Sequence, residues 1–223
     1  FTTTTKNYEK VKQIKGTSKN VFLTGSLAVD NIYQTKLYDP IEFRELFNFE
    51  IDSFFILFTF HPETVNFKKN SEYTSIIHDT LVSLDYNILV TMPNSDTMGG
   101  IIRDTLNDAA IKNKKIKLVE SLGSRGYYTA LKHSSMVLGN SSSGIIEASS
   151  FSKYVINIGD RQLGREHGEN IIHCRINKKE ILKSIELVCQ STRFKPFNIY
   201  GSGDASVKIM NELKKIKTQI NLL

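Results

Sequence analysis

The residues best equipped for chemistry lie in one stretch, Gly139-Asn140-Ser141-Ser142-Ser143-Gly144-Ile145-Ile146-Glu147-Ala148. It follows an apolar run, Met136-Val137-Leu138, that reads as a buried strand, and it leads into residues 145–149, which read as a helix start. A strand, a small polar turn and a helix N-terminus form an anion site. The first backbone N–H groups of a helix lack internal partners, and its dipole favours negative charge there. Ser141, Ser142 and Ser143 add hydroxyl donors, and Gly144 would let a ligand approach the backbone. The simpler reading, equally open for this motif alone, is a helix capped by one serine after a strand.

Other residues suit the same ligand chemistry. Arg161, in Gly159-Asp160-Arg161-Gln162-Leu163-Gly164-Arg165-Glu166, offers the planar fork that matches a phosphate. Its alternative role is a surface ion pair with Asp160 or Glu166, worth little. Glu147 could accept hydrogen bonds from the two hydroxyls of a ribose, or simply complement the helix dipole from the first turn. His61 stands between an apolar strand and Pro62, which biases it toward an extended backbone where the strand ends. There it can serve as acid, base or donor near neutral pH. Tyr127 could stack on a base or pack in the core. The dinucleotide glycine pattern and the Walker pattern are absent, and no Cys/His spacing suggests a metal site, so no metal and no cofactor are expected.

Elements that could position these residues are legible in the hydrophobic pattern. Residues 54–60 are almost wholly apolar, the mark of a central strand covered on both faces in a parallel sheet. Further strands are expected at 21–24, 87–92, 116–119, 136–138, 154–158 and 171–174. Helices are expected at 6–15, 28–34, 41–47, 71–84, 97–111, 126–133, 178–191 and 204–218. Strand and helix alternate about five or six times, which argues for an α/β, doubly wound parallel sheet. In such sheets ligands bind beyond the carboxyl ends of the strands. His61, Asn94, residues 122–127, residues 141–147 and Arg161 all fall just after expected strands.

Bulk composition sets limits. The chain has 223 residues, 40% hydrophobic and 23% charged, ordinary values for a globular protein. Its net charge of +6 admits a phosphorylated partner. The lysines are dispersed and no basic run is interleaved with aromatics, so nucleic acid is not expected as a partner. Cys174 and Cys189 are expected as reduced, packed thiols in a cytoplasmic protein. No apolar run is long enough to span a bilayer and no signal peptide is visible, so no membrane partner is expected. Phe1 rather than methionine opens the chain, which points to a piece of a longer protein.

Five segments occur in order: residues 24–31 (Thr-Gly-Ser-Leu-Ala-Val-Asp-Asn), His61-Pro62-Glu63, Pro93-Asn94-Ser95-Asp96, residues 139–148 and residues 157–165. Together they resemble the hydrolysing UDP-N-acetylglucosamine 2-epimerases of the sialic-acid pathway type, and the last two are the most specific. The resemblance covers only the C-terminal half of that family, and implies a Rossmann-like C-terminal domain of a GT-B fold. Residues 1–18 would be the end of an absent N-terminal domain, 19–198 the UDP-binding domain, and 199–223 a helix packing back toward that first domain. The implied ligand is a UDP-sugar. Ser141, Ser142 and Gly144 would meet the diphosphate at the helix N-terminus, Glu147 the ribose, and Leu122 and Tyr127 the uracil. Asn94 and Arg161 would lie around diphosphate and sugar, with His61 facing the reacting region. The family eliminates UDP and hydrates the resulting glycal, giving free N-acetylmannosamine. His61, Ser142 and Arg161 would carry the catalytic load here by stabilising the leaving diphosphate, while the family's carboxylate acid/base groups lie in the N-terminal domain. A relative acting on UDP-2,4-diacetamido-trideoxyglucose, a GT-B glycosyltransferase and a catalytically silent UDP-sugar-binding domain share this logic. The family commonly forms dimers or tetramers, so a homo-oligomer is implied.

Overall fold

The structure, a computed structural model, describes residues 1–62, 70–93, 99–192 and 195–220. Six parallel strands form one sheet: β1 (Phe55–Thr59), β2 (Asn87–Thr91), β3 (Ile116–Val119), β4 (Met136–Gly139), β5 (Val155–Ile158) and β6 (Ile171–Cys174). Their spatial order is β3-β2-β1-β4-β5-β6. The order reverses between β1 and β4, so a crevice opens at the carboxyl ends of those two strands.

The helices are α1 (Thr5–Lys15), α2 (Leu27–Gln34), α3 (Pro40–Phe47), α4 (Asn70–Ser83), α5 (Gly99–Lys112), α6 (Gly123–His133), α7 (Ser142–Ile146), α8 (Lys178–Gln190) and α9 (Ala205–Ile220). Local chemistry sets several ends. Thr4 caps α1, which stops at Gly16 in the left-handed region. Asp39 and Glu42 form a capping box with Pro40 at the first helical position of α3.

All five residues of β1 are buried, and alternate side chains feed two cores. On one face Ile56 and Phe58 pack with Ile77 and Leu81 of α4, Leu106 of α5 and Ile181 and Ile185 of α8. On the other, Phe55 and Leu57 pack with Val29 of α2, Phe43 of α3, Leu131 of α6 and Ile145 of α7. This two-faced burial is why the strand reads as a continuous apolar run.

Three expectations change. Residues 21–24 form no strand of the sheet; their ladder contact is a single bridge between Leu23 and Thr2, because Thr4 already caps α1 and leaves no longer partner strand. The helix expected at 145–149 starts three residues earlier, since the Ser141 hydroxyl accepts the Ser143 N–H, and it ends at Ile146 before a 3-10 turn, Ala148–Phe151. Cys174 is half-buried, but Cys189 is exposed rather than packed.

The last helix is tied to α2. Asp30 is buried, and its carboxylate accepts the N–H groups of Ala205 and Ser206 at 2.9 and 2.7 Å. Burial opposes its charge, but bonds from Ser206 and Ala205 outweigh that and hold the carboxyl below its ordinary value. Gly203 sits where a Cβ would strike the Tyr33 ring at 2.3 Å, so the chain passes tightly over α2. Among the described residues no helix is long and apolar enough to cross a membrane.

Candidate functional site

A cleft of about 820 Å³ lies over the carboxyl ends of β1 to β5. It gathers residues that are far apart in sequence: His61 after β1, Pro93 after β2, Leu122 after β3, Ser141, Ser142 and Glu147 after β4, and Arg161 after β5. Of the residues expected at a ligand site, His61, Leu122, Tyr127, Ser141, Ser142, Glu147 and Arg161 line this one cleft. Asn94 lies outside the described residues, as does Glu63 of the His-Pro-Glu segment.

The serine turn is held by its own hydrogen bonds. Ser141 caps α7 and its Oγ lies 3.0 Å from Ser143 Oγ, which in turn hydrogen-bonds the Tyr127 hydroxyl. Two of the three hydroxyls therefore hold the turn. Ser142 lines the cleft and its hydroxyl makes no hydrogen bond among the described residues. It is the one of the three left to meet a ligand.

Gly144 has a different role from the one expected. It is buried and does not line the cleft; a Cβ there would come within 2.9 Å of Val155 Cγ1. Its small size lets α7 lie against the sheet. The glycine that the turn requires is Gly139, with φ of 136° and its Cβ position 1.9 Å from the Thr59 carbonyl oxygen. Only that close approach lets Asn140 N–H reach the same oxygen, at 3.1 Å.

Glu147 is not on a first turn. It follows α7 at its C-terminal end, where the dipole disfavours a carboxylate, so dipole complementarity does not explain it. Burial pushes its carboxyl up to about 7, against a hydrogen bond from the Tyr128 hydroxyl that favours the charge. Tyr128 is itself pushed up to about 12, first by burial and then by the Glu147 charge. Burial also raises Tyr127 above the ordinary phenol range, so both tyrosines are neutral at physiological pH.

Arg161 Nη1 donates to the Asn140 carbonyl at 3.1 Å, and Gln162 Nε2 donates to the same oxygen at 2.8 Å. The loop that carries them is pinned further along. Asn157 Nδ2 donates to the Gly159 carbonyl at 3.1 Å and lies 3.0 Å from His173 Nδ1. His173 Nε2 then meets His167 Nε2 at 3.1 Å, and His167 Nδ1 meets the Gly168 carbonyl at 3.1 Å. With the Asn157 amide donating, His173 Nδ1 is the acceptor and its Nε2 the donor toward His167. Burial, then the neighbouring His167, holds His173 below its ordinary value.

The other wall is built differently. Arg103 of α5 binds both carboxylate oxygens of Glu120, with Nη1 2.8 Å from Oε2, and its Nη2 donates to the Pro93 carbonyl at 3.2 Å. The Arg103 hydrogen bond holds the Glu120 carboxyl below its ordinary value. Sequence reasoning missed Arg103, Glu120 and Tyr128, and gave Asn140 no role. Asn140 stood inside the richest motif, so its position was the available signal. Arg103 and Glu120 are seventeen residues apart with no shared pattern, and the packing of α5 against β3 brings them together. Among the described residues no group of three or more His, Cys, Asp or Glu could hold a metal ion.

The family model described as UDP-N-acetylglucosamine 2-epimerase matches residues 1–214. This chain belongs to that family. Its curated relatives include the UDP-N,N'-diacetylbacillosamine 2-epimerase (hydrolyzing) of Legionella pneumophila, 29% identical over all of this chain and 59% of that protein. The GDP/UDP-N,N'-diacetylbacillosamine 2-epimerase (hydrolyzing) of Campylobacter jejuni is 34% identical over 76% of this chain and 44% of that protein. The chain thus spans about half the length of these relatives. Among solved structures, the Methanocaldococcus jannaschii UDP-GlcNAc 2-epimerase in complex with UDP-GlcNAc and UDP superposes with a TM-score of 0.74 at 19% identity, over 96% of this epimerase-family chain and 60% of the other. The fold is the Rossmann-like domain of a GT-B architecture.

Proposed function

We propose that this chain is the UDP-holding part of a hydrolysing UDP-sugar 2-epimerase. The observation that carries this reading is the convergence of Ser142, Arg161 and Glu147 on one cleft at the point where strand order reverses. Ser142 and the first N–H groups of α7 receive the diphosphate, and the Arg161 fork supplies its countercharge. Glu147 accepts from the ribose hydroxyls, and Leu122 and Tyr127 form the apolar face for the uracil. Residues 1–18 and 199–223 link this domain to an N-terminal one.

In the reaction the bond from sugar C1 to the diphosphate oxygen breaks as a proton leaves C2. Water then adds across the C1–C2 double bond, giving UDP and a free sugar inverted at C2. Negative charge grows on the departing diphosphate, so donors fixed in advance lower that barrier most. His61, Ser142 and Arg161 have that task. The groups that remove and return protons at the sugar belong to the part of the enzyme outside this chain, which therefore does not turn over alone. The substrate is a UDP-sugar with an acetamido group at C2. The names of the two curated relatives favour the 2,4-diacetamido sugar over N-acetylglucosamine. The working enzyme is a homo-oligomer located in the cytoplasm.

Calorimetric titration with UDP tests the reading. Charge-assisted bonds to phosphate are worth about 1.5–3 kcal/mol each, so Ser142→Ala with Arg161→Ala should weaken UDP by roughly 100-fold or more. No binding by the unaltered chain, or binding indifferent to the double change, sinks it. With the remaining part of the enzyme restored, free sugar plus UDP is expected, whereas an acceptor-linked glycoside would indicate a transferase.

A further inference from the structure

Asn140 is fully buried, and every one of its polar atoms is committed. Its N–H donates to the Thr59 carbonyl at 3.1 Å. Its side-chain Oδ1 accepts the His61 N–H at 2.7 Å, and its Nδ2 donates to the His61 carbonyl at 2.9 Å. Its own carbonyl accepts from Arg161 and Gln162. The amide thus does for His61 what a neighbouring strand would do, two residues beyond the end of β1.

We propose that Asn140 is a positioning residue that couples Arg161 to His61, so that a diphosphate gripped by Arg161 is felt at the His61 ring. The inference rests on the UDP reading above. Its physical basis is that one buried residue is the shared partner of both groups. The guanidinium donates through Nη1 to the Asn140 carbonyl, so a phosphate that draws on Arg161 changes the load on that carbonyl. Hydrogen bonds in series polarise one another in a low-dielectric interior. The amide's other end holds both backbone polar groups of His61. No other side chain fits: aspartate would set oxygen against the His61 carbonyl, and an apolar residue would strand two buried backbone groups.

The test uses this chain, UDP as the probe, and the His61 ring proton followed by NMR against pH, assigned with His61→Gln. In the unaltered chain UDP should displace the His61 titration midpoint. Asn140→Asp, folded by its melting curve, should bind UDP about tenfold more weakly and lose that displacement. Gln162→Met removes one donor to the carbonyl but leaves Arg161, so it should keep the displacement. Should Asn140→Asp fail to fold, Arg161→Lys carries the test, because it keeps the charge but not the anchored fork, and the displacement should vanish. A folded Asn140→Asp, or Arg161→Lys in its place, that binds UDP and still moves the His61 midpoint overturns the coupling and leaves the UDP reading intact. UDP that fails to bind the unaltered chain overturns both.

Discussion

The two walls of the cleft are held by opposite means. Around β1, β4 and β5 the groups are buried or half-buried and joined by hydrogen bonds: Asn140 to His61, Arg161 and Gln162 to Asn140, Tyr127 to Ser143 and Tyr128 to Glu147. Around β2 and β3 the wall is an exposed ion pair, Arg103 with Glu120, whose carboxylate side chain is 69% accessible. A largely buried hydrogen-bond network is screened little by salt and loses much if one member is removed. An exposed ion pair is screened and replaceable. On the proposed UDP reading, the first wall is preorganised for the diphosphate, and the second can adapt.

The sharpest way to break the contrast is at the glycine on which the first wall depends. Gly139→Ala would place a methyl 1.9 Å from the Thr59 carbonyl oxygen at a positive φ. Neither the oxygen nor its strand can yield, because Thr59 ends the central strand β1. A loss of roughly 4 kcal/mol or more is expected, seen as failure of cooperative thermal unfolding. Gly144→Ala is the comparison. Its methyl meets the Val155 side chain rather than backbone, so an overpacking loss of about 1–3 kcal/mol is expected with UDP binding retained. Equal effects would mean that the turn is not the rigid point of the site.

That pair of glycines also marks how far the sequence is readable. The apolar run at 54–60 and the strand–helix alternation foretell the parallel sheet, because burial on both faces leaves a one-dimensional trace. The rule that ligands sit at strand ends then brings His61, Ser142, Glu147 and Arg161 into one neighbourhood. Which glycine serves the backbone and which the packing is not readable, since both sit in one six-residue segment and differ only in what lies across from them. The capping role of Asp30 is equally hidden, as its partners are 175 and 176 residues away. The strand expected at 21–24 fails for the converse reason: its residues suit a strand, but the fold supplies no partner beyond Thr2.

A medium effect separates binding from stability within the buried wall. Glu147 ordinarily titrates near 4.5 and is raised to about 7 by burial. Between those values the folded state holds a proton that the unfolded state has released, so stability falls as pH rises from about 4.5 to about 7. The full penalty above that window is roughly 3 kcal/mol. Glu147→Gln should therefore raise the melting temperature at pH 8 by several degrees, with the gain shrinking to nothing near pH 4.5. The same change should weaken UDP about tenfold at pH 8, by removing the charged acceptor for the ribose. A variant that is stabler yet binds UDP as well would show that the raised carboxyl is a packing defect rather than a ligand group.

The smallest effect is expected at the exposed wall, and it tests the contrast from the other side. Arg103→Ala or Glu120→Gln removes an ion pair that the solvent already screens, so UDP affinity should change by about threefold or less. Whatever change there is should shrink further as salt is raised from about 0.05 to 0.5 M. Arg103 has one contact that salt does not screen in the same way, its donor to the Pro93 carbonyl. If that contact rather than the ion pair shapes the wall, Arg103→Ala should exceed Glu120→Gln and persist at high salt. An Arg103→Ala effect as large as that of Arg161→Ala would place charge recognition on both walls and remove the distinction between them.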